Sequence, residues 1–304
     1  MTISGTPMLS YAQNAEDVVL WRAFRDLPGP GRFIDVGAAH PVIDSVTKHF
    51  STVGWHGIHV EPMGREADLL RRDRPGDVVL QIALGREAGQ ATLYEAPLDN
   101  RGASSLRSDI AEEQSTEASS FVPVTVEVRT LASVCEEFVT GEIEFLKIDV
   151  EGLEADVIAG GDWDRFRPQV VVVEATHPQT SRQVHDEWEP ALVAVGYEFT
   201  LFDGLNRFYV AHERPELAER LSAPANPIDN WLPYRWVHQV ETLTEYTASL
   251  LAEVERLRPI EESARRDARR LHDLEVSVAG AQATINDLRQ ANAVLTTERR
   301  RAGC

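Results

Sequence analysis

The 304-residue chain holds only two cysteines, Cys135 and Cys304, in no CxxC and no spaced framework. That excludes a disulfide scaffold and a cysteine-built structural zinc site, and it fits a reducing compartment. Lysine is equally scarce, with Lys48 and Lys147 alone. Basic charge as a whole is short: 30 Lys+Arg stand against 49 Asp+Glu, for a formal net charge of −19. An acidic chain is a poor ligand for nucleic acid or an anionic membrane, both of which need a basic face. No run approaches the ~20 apolar residues that span a bilayer. The opening MTISGTPMLSYAQNAED has no basic stretch followed by an apolar one, the mark of a secretory leader. The expectation is a cytoplasmic protein with no membrane span and no nucleic-acid partner. GxGxxG, the pattern that cradles a dinucleotide pyrophosphate at a helix start, is also missing.

What is present alternates. Arg32–Val36, Gly57–Glu61, Val78–Leu84, Glu142–Val150 and Gln169–Ala175 are short runs rich in β-branched residues. Near-continuous apolar runs of this kind suit strands buried on both faces of a parallel sheet. Helical stretches lie between them at Asp44–Val53, Arg65–Arg72, Leu131–Val139 and Leu153–Ala159, the last closed by Gly160-Gly161. Ala91–Glu95 and Val122–Arg129 are predicted strands at one edge. After a helix around Trp188–Val195, the runs Tyr197–Phe202 and Arg207–His212 flank Asp203-Gly204, a hairpin signal. The pattern predicts an α/β, Rossmann-like methyltransferase fold: a mostly parallel, doubly wound sheet ending in an antiparallel hairpin.

The tail is a different polymer. Residues 1–233 hold 19 Lys+Arg and 38 Asp+Glu, whereas residues 234–304 hold 11 of each. Pro224–Pro233 (PANPIDNWLP) is the expected linker between a domain at 1–223 and a helical tail at 234–304. From Leu271 the apolar positions step by three and four through Leu274, Val278, Ala281, Ile285, Leu288, Asn292 and Leu295, a coiled-coil seam with one Asn at an a position. A looser stripe, Leu243, Leu250, Val254 and Leu257, precedes it. Pro259 predicts a break in the helix. A homo-oligomer through this coiled coil is expected; the other reading is a helix folded back on the globular part.

In a doubly wound sheet the ligand sits beyond the carboxyl ends of the strands. After the first strand come Asp35, Gly37 and Ala38, where a single glycine lets backbone approach a ligand without phosphates, such as S-adenosylmethionine. Glu61, ending the second strand, is placed to accept both ribose hydroxyls of an adenosine. Gln81, Ile82 and Ala83, near the third strand end, are candidates for the adenine edge. The fourth strand delivers Lys147, Asp149 and Glu151 at alternate positions, three charges that are costly to bury without a partner or a task. Glu174 ends the fifth strand, with His177 just after. Methyl transfer to an alcohol needs in-line positioning and removal of the hydroxyl proton. Two routes stay open: Asp149 and Glu174 hold Mg²⁺ that lowers the hydroxyl pKa, or His177 is the base with no metal. His40 and His185 are weaker candidates.

Taken together, SYAQNAEDVVLWRAF (Ser10–Phe24), FIDVGAAHPVIDSVTKHFSTVGWHGIHVEP (Phe33–Pro62), FLKIDVEGLEADVIAGGDW (Phe145–Trp163), RPQVVVVEAT (Arg167–Thr176) and DGLNRFYVA (Asp203–Ala211) resemble the FkbM family of S-adenosylmethionine-dependent methyltransferases. The resemblance implies an O-methyltransferase acting on a sugar hydroxyl of a glycan, glycolipid or glycosylated metabolite, with a glycosyltransferase as an expected partner. It also implies that Asp35, Gly37 and Glu61 hold the cofactor, and that Asp149 and Glu151 lie near the transferred methyl. Ala39-His40 departs from the Asn-Asp common in the most similar branch. Two rival readings are a nicotinamide oxidoreductase, which lacks its glycines here, and a non-catalytic coiled-coil assembly module of a glycan-biosynthesis complex with a vestigial nucleoside pocket.

Overall fold

A computed structural model describes residues 5–96, 104–114, 121–177 and 180–302, the side chains of 113, 114, 288 and 291–302 excepted. The chain divides into two units, Met1–Val237 and His238–Cys304. In the first, β2 (Arg32–Val36), β3 (His56–Val60), β4 (Val78–Leu80), β8 (Phe145–Ile148) and β9 (Val170–Glu174) are parallel. The hairpin β10 (Tyr197–Phe202) and β11 (Asn206–Ala211) adds antiparallel to β9, giving the order β10-β11-β9-β8-β2-β3-β4. A separate sheet holds β5 (Ala83–Leu84), β6 (Gly89–Glu95) and β7 (Val122–Arg129), in the order β5-β7-β6.

Alternation along the central strands builds two cores. Ile34 and Val36, Leu146 and Ile148, and Val171 and Val173 enter one apolar cluster, while Phe33, Phe145, Val170 and Val172 enter another. Successive side chains of a strand point to opposite faces, so both faces are covered, as a parallel sheet requires. Helices α1 (Glu16–Phe24), α2 (Lys48–Thr52), α3 (Gly64–Asp73), α4 (Ser108–Gln114), α5 (Leu131–Phe138), α6 (Glu154–Ala159), α7 (Glu189–Ala194) and α8 (Pro215–Arg220) complete the connections.

Four expectations need correction. The run Val78–Leu84 is not one strand. The Glu61 N–H donates to the Leu80 carbonyl at 3.0 Å, and beyond it the chain leaves the main sheet so that Ala83 and Leu84 pair with Val128 and Arg129. Asp44–Val53 is helical only from Lys48, because Asp44 is left-handed (φ 57°) and the Thr47 hydroxyl is committed to Asp35 at 2.7 Å. The segment 224–233 is tied down rather than free: Arg22 forks onto Asp229 at 2.7 Å through two nitrogens, and β12 (Trp231–Pro233) pairs parallel with β1 (Met8–Ser10). Finally, α9 (Tyr234–Ala302) runs unbroken through Pro259. The proline is exposed, so the carbonyl it cannot bond one turn earlier is left to water. The side chains of Leu288, Asn292 and Leu295, and all of Cys304, lie outside the described residues.

Candidate active site

The parallel strands end at one edge of the sheet, and a cavity of about 620 Å³ opens there. Gly37, just past β2, has φ 77°, and a Cβ there would fall 1.7 Å from the Asp149 carbonyl oxygen, so glycine alone fits. The Gly37 and Ala38 N–H groups both donate to the Val60 carbonyl, at 2.9 and 3.2 Å. Ala39 follows at φ 48° and donates to Glu61 Oε2 at 2.8 Å; the other Glu61 oxygen accepts the Met63 N–H at 2.8 Å. Each carboxylate oxygen keeps a second lone pair for a ligand hydroxyl. Burial raises the Glu61 pKa to about 7, against the pull of those two amides. A diol donating to this carboxylate would favour its charged form.

Behind the loop sits a buried cation. β2 and β8 are in register so that Asp35 lies beside Lys147. Lys147 Nζ donates to the Gly37 carbonyl at 2.9 Å and lies 3.1 Å from Asp149 and 3.7 Å from Asp35. Burial disfavours the ammonium, but the Asp149 and Asp35 carboxylates outweigh it and raise the Lys147 pKa. Burial likewise opposes charge on Asp35, and Lys147 and His59 overcome it, holding Asp35 well below the carboxylate range. Asp35 Oδ2 accepts the Thr47 hydroxyl, whereas Oδ1 has no hydrogen bond and depends on the Lys147 charge.

In front of Lys147, Asp149, Glu151 and Glu174 bring one oxygen each within 4.8 Å of one another. β8 stops at Ile148, and the next turn reverses through left-handed Glu151 (φ 54°) and Gly152 (φ 99°). Glu154 caps that turn by accepting the Val150 and Gly152 amides at 3.2 and 3.1 Å. Strained backbone at a non-glycine residue costs of order 1–3 kcal/mol; here it turns Glu151 into the cavity wall. Glu151 Oε2 is buried with no hydrogen-bond partner. Burial, then the charges of Asp149 and Glu151, push the Glu174 pKa far up; burial and Asp149 do the same to Glu151. Glu151 and Glu174, crowded against Asp149, therefore hold protons until a cation arrives.

Asp35, Gly37, Ala38, Glu61, Ala83, Lys147, Asp149, Glu151 and Glu174 all wall the cavity; Gln81, Ile82 and His177 are absent from that wall among the described residues. Gln81 lies against Gly64 and Ile82 enters the core. The His177 backbone N–H donates to the Arg182 carbonyl at 2.8 Å. His40 Nδ1 accepts the Val42 and Ile43 amides, and His185 faces Asp186 and Glu189. Trp188, Asn206 and Arg207 pack the hairpin, the first against Tyr209, the second on Glu16, the third on Glu189. Sequence reasoning missed Gln13 and Leu205 in the wall. Their only signal lies in two of the stretches carrying the family resemblance.

A family model, the methyltransferase FkbM domain, matches residues 35–199, more than half of the chain. Among solved structures, the methyltransferase FkbM of Methylobacillus flagellatus KT is 14% identical with a TM-score of 0.40, covering 63% of this chain and 47% of its own. The chain thus spans about half the length of that relative. A TehB-like SAM-dependent methyltransferase from Corynebacterium glutamicum ATCC 13032 Kitasato is 10% identical with a TM-score of 0.36, covering 64% of this chain and 87% of its own. No curated protein matches. With the family model spanning Asp35, Glu61, Asp149 and Glu174, the chain belongs to the FkbM methyltransferase family.

Proposed function

We propose that the chain transfers a methyl group from S-adenosylmethionine to a sugar hydroxyl of a glycan, glycolipid or glycosylated metabolite. One observation carries the reading: the Asp149, Glu151 and Glu174 carboxylates converge in the same cavity as the Gly37 turn and the half-satisfied Glu61 carboxylate. These residues fit the cofactor. Glu61 has lone pairs free for a ribose diol, and the acidic group suits a cationic ligand whose binding relieves its crowding. Bound S-adenosylmethionine supplies a methyl carbon on a positively charged sulfur, which departs as a neutral thioether when an oxygen displaces it.

Asp149, steadied by Lys147, accepts the proton of the acceptor hydroxyl as its oxygen attacks. Glu174 holds a proton and orients Asp149 or the acceptor by hydrogen bonding. Glu61 and the Gly37 loop fix the cofactor so that approach is in line. Asp149 and Glu174, with Glu151, also offer the hard oxygen donors that Mg²⁺ takes. The metal enters this reading as an addition tested by EDTA. The cellular setting proposed is the cytoplasm, beside a glycosyltransferase; no helix among the described residues is long and apolar enough to cross a membrane.

The test is S-adenosylhomocysteine release over a panel of glycan acceptors, with wild type and Asp149→Asn compared. Turnover that Asp149→Asn abolishes while cofactor binding survives supports the assignment. Cofactor binding without turnover on the whole panel would instead favour the non-catalytic assembly module. No binding of S-adenosylmethionine or S-adenosylhomocysteine would end the methyltransferase reading.

A further inference from the structure

Over its described residues the second unit, His238–Cys304, is one helix, and the large apolar side chains described there are left in water. Between residues 243 and 285 twelve large hydrophobic side chains are exposed, and nine of them fall on a single heptad track. With Leu271 at position a, every seventh residue from Leu243 to Ile285 is apolar, and Tyr246, Ile260 and Leu274 occupy d. Six exact heptad steps without a stutter are the signature of a left-handed coiled-coil seam. The nine seam residues are 43–66% exposed. Pro259, expected to divide the tail, falls at c on the outer face of the same track, so the seam passes it without a change of register.

We infer that this face is covered by a second copy of the chain, as a parallel, in-register coiled coil running through Pro259 rather than starting after it. Charge favours this occupant. At the g and e positions that flank such a seam, Arg256 would meet the partner's Glu261 and Arg270 the partner's Glu275, with no like-charged g–e pair over this stretch. The tail's net charge fits as well, since residues 234–304 balance 11 basic against 11 acidic residues while the rest carries −19. Two acidic residues at d, Glu253 and Asp267, weaken the seam locally; Glu253 is held by Arg256 of its own helix at 2.6 Å. Polar residues at seam positions lower stability and fix register.

Sedimentation equilibrium of the full chain tests this. The wild type is expected as a dimer at micromolar concentration. Leu250→Glu and Leu271→Glu, on the seam on either side of Pro259, are each expected to weaken association at least about 100-fold, since each buries an unpaired charge. Leu251→Glu and Val276→Glu, equally exposed but at b and f, should leave the dimer intact. Asp267→Leu should tighten it. A monomeric wild type overturns the inference, and so does equal weakening by on-track and off-track changes. If only Leu271→Glu acted, the seam would not pass Pro259. Arg270→Glu should weaken the dimer and Glu275→Arg in the same chain should restore it; failure to restore overturns the parallel arrangement.

Discussion

Replacing Lys147 by methionine removes one positive charge while keeping the length of the side chain, and the outcome follows from what the charge is holding. Asp35 is buried, its Oδ1 has no hydrogen bond, and its nearest cation is Lys147 at 3.7 Å. Asp149 loses its 3.1 Å partner and the Gly37 carbonyl its 2.9 Å donor in the same step. Breaking a buried pair by removing one member typically costs about 3–5 kcal/mol, because the other charge stays behind uncompensated. For a unit of this size each kcal/mol is worth roughly 2–4 °C, so Lys147→Met should lower the melting temperature by about 6–20 °C at pH 7. Circular dichroism melts measure it. The control is the double variant Asp35→Asn, Lys147→Met, which no longer buries a lone charge and should regain a large part of the loss. In the single variant Asp35 loses the charge that holds its pKa down, so the deficit should shrink as the solution is acidified and Asp35 takes a proton. A melting temperature within a degree or two of wild type, or a double variant no better than the single, would refute the reasoning.

Glu61→Gln keeps an acceptor for one of the two loop amides but sets an NH₂ against the other; cofactor affinity measured by calorimetry should fall at least about tenfold, with the fold intact. Gly37→Ala places a methyl on the Asp149 carbonyl and should abolish cofactor binding and lower thermal stability together. Glu16 and Glu61 have pKa values raised to about 7 and Asp17 to about 6, burial being the main cause in each. The folded protein therefore keeps protons that the unfolded chain releases near pH 4, and the stability they contribute is lost as pH rises to 7. Urea melts of the free protein from pH 5 to 8 should show that decline. S-adenosylmethionine should bind more tightly as pH rises over the same range, because its positive charge displaces protons from the Glu151 and Glu174 cluster. The uncharged sulfur of S-adenosylhomocysteine should show a weaker dependence, and equal dependences would remove the cluster from the cofactor's neighbourhood.

The strand ends were legible because buried parallel strands leave a compositional trace. RFIDV, EIEFLKIDV and QVVVVEA mark where the chain enters the sheet, and the carboxylate near the end of each run marks where it leaves. Asp35, Asp149 and Glu174 follow from that, and Lys147 from the oddity of a lysine in an apolar run. The break after Leu80 was not legible, because VVLQIAL has the same composition whether its residues pair in one sheet or two. Nor was the late start of α2, since Thr47 stays out of the helix through a hydroxyl bond to a residue twelve positions earlier. Ala39 and Glu151 are left-handed without being glycine, so their own residue types do not announce it. Gln13 and Leu205 reach the cavity only through long-range folding.

The strand pair formed by Met8–Ser10 and Trp231–Pro233 joins the two ends of the first unit. Closing a loop of more than 200 residues costs on the order of 5 kcal/mol in chain entropy before any contact rewards it. The long helix that follows needs only neighbours one turn away and winds up in about a microsecond. Kinetically, then, the helix is ready first, and the clasp at its root shuts last. A truncation that removes the first ten residues takes away contacts made after the rate-limiting step, so it should speed unfolding while leaving the refolding rate nearly unchanged.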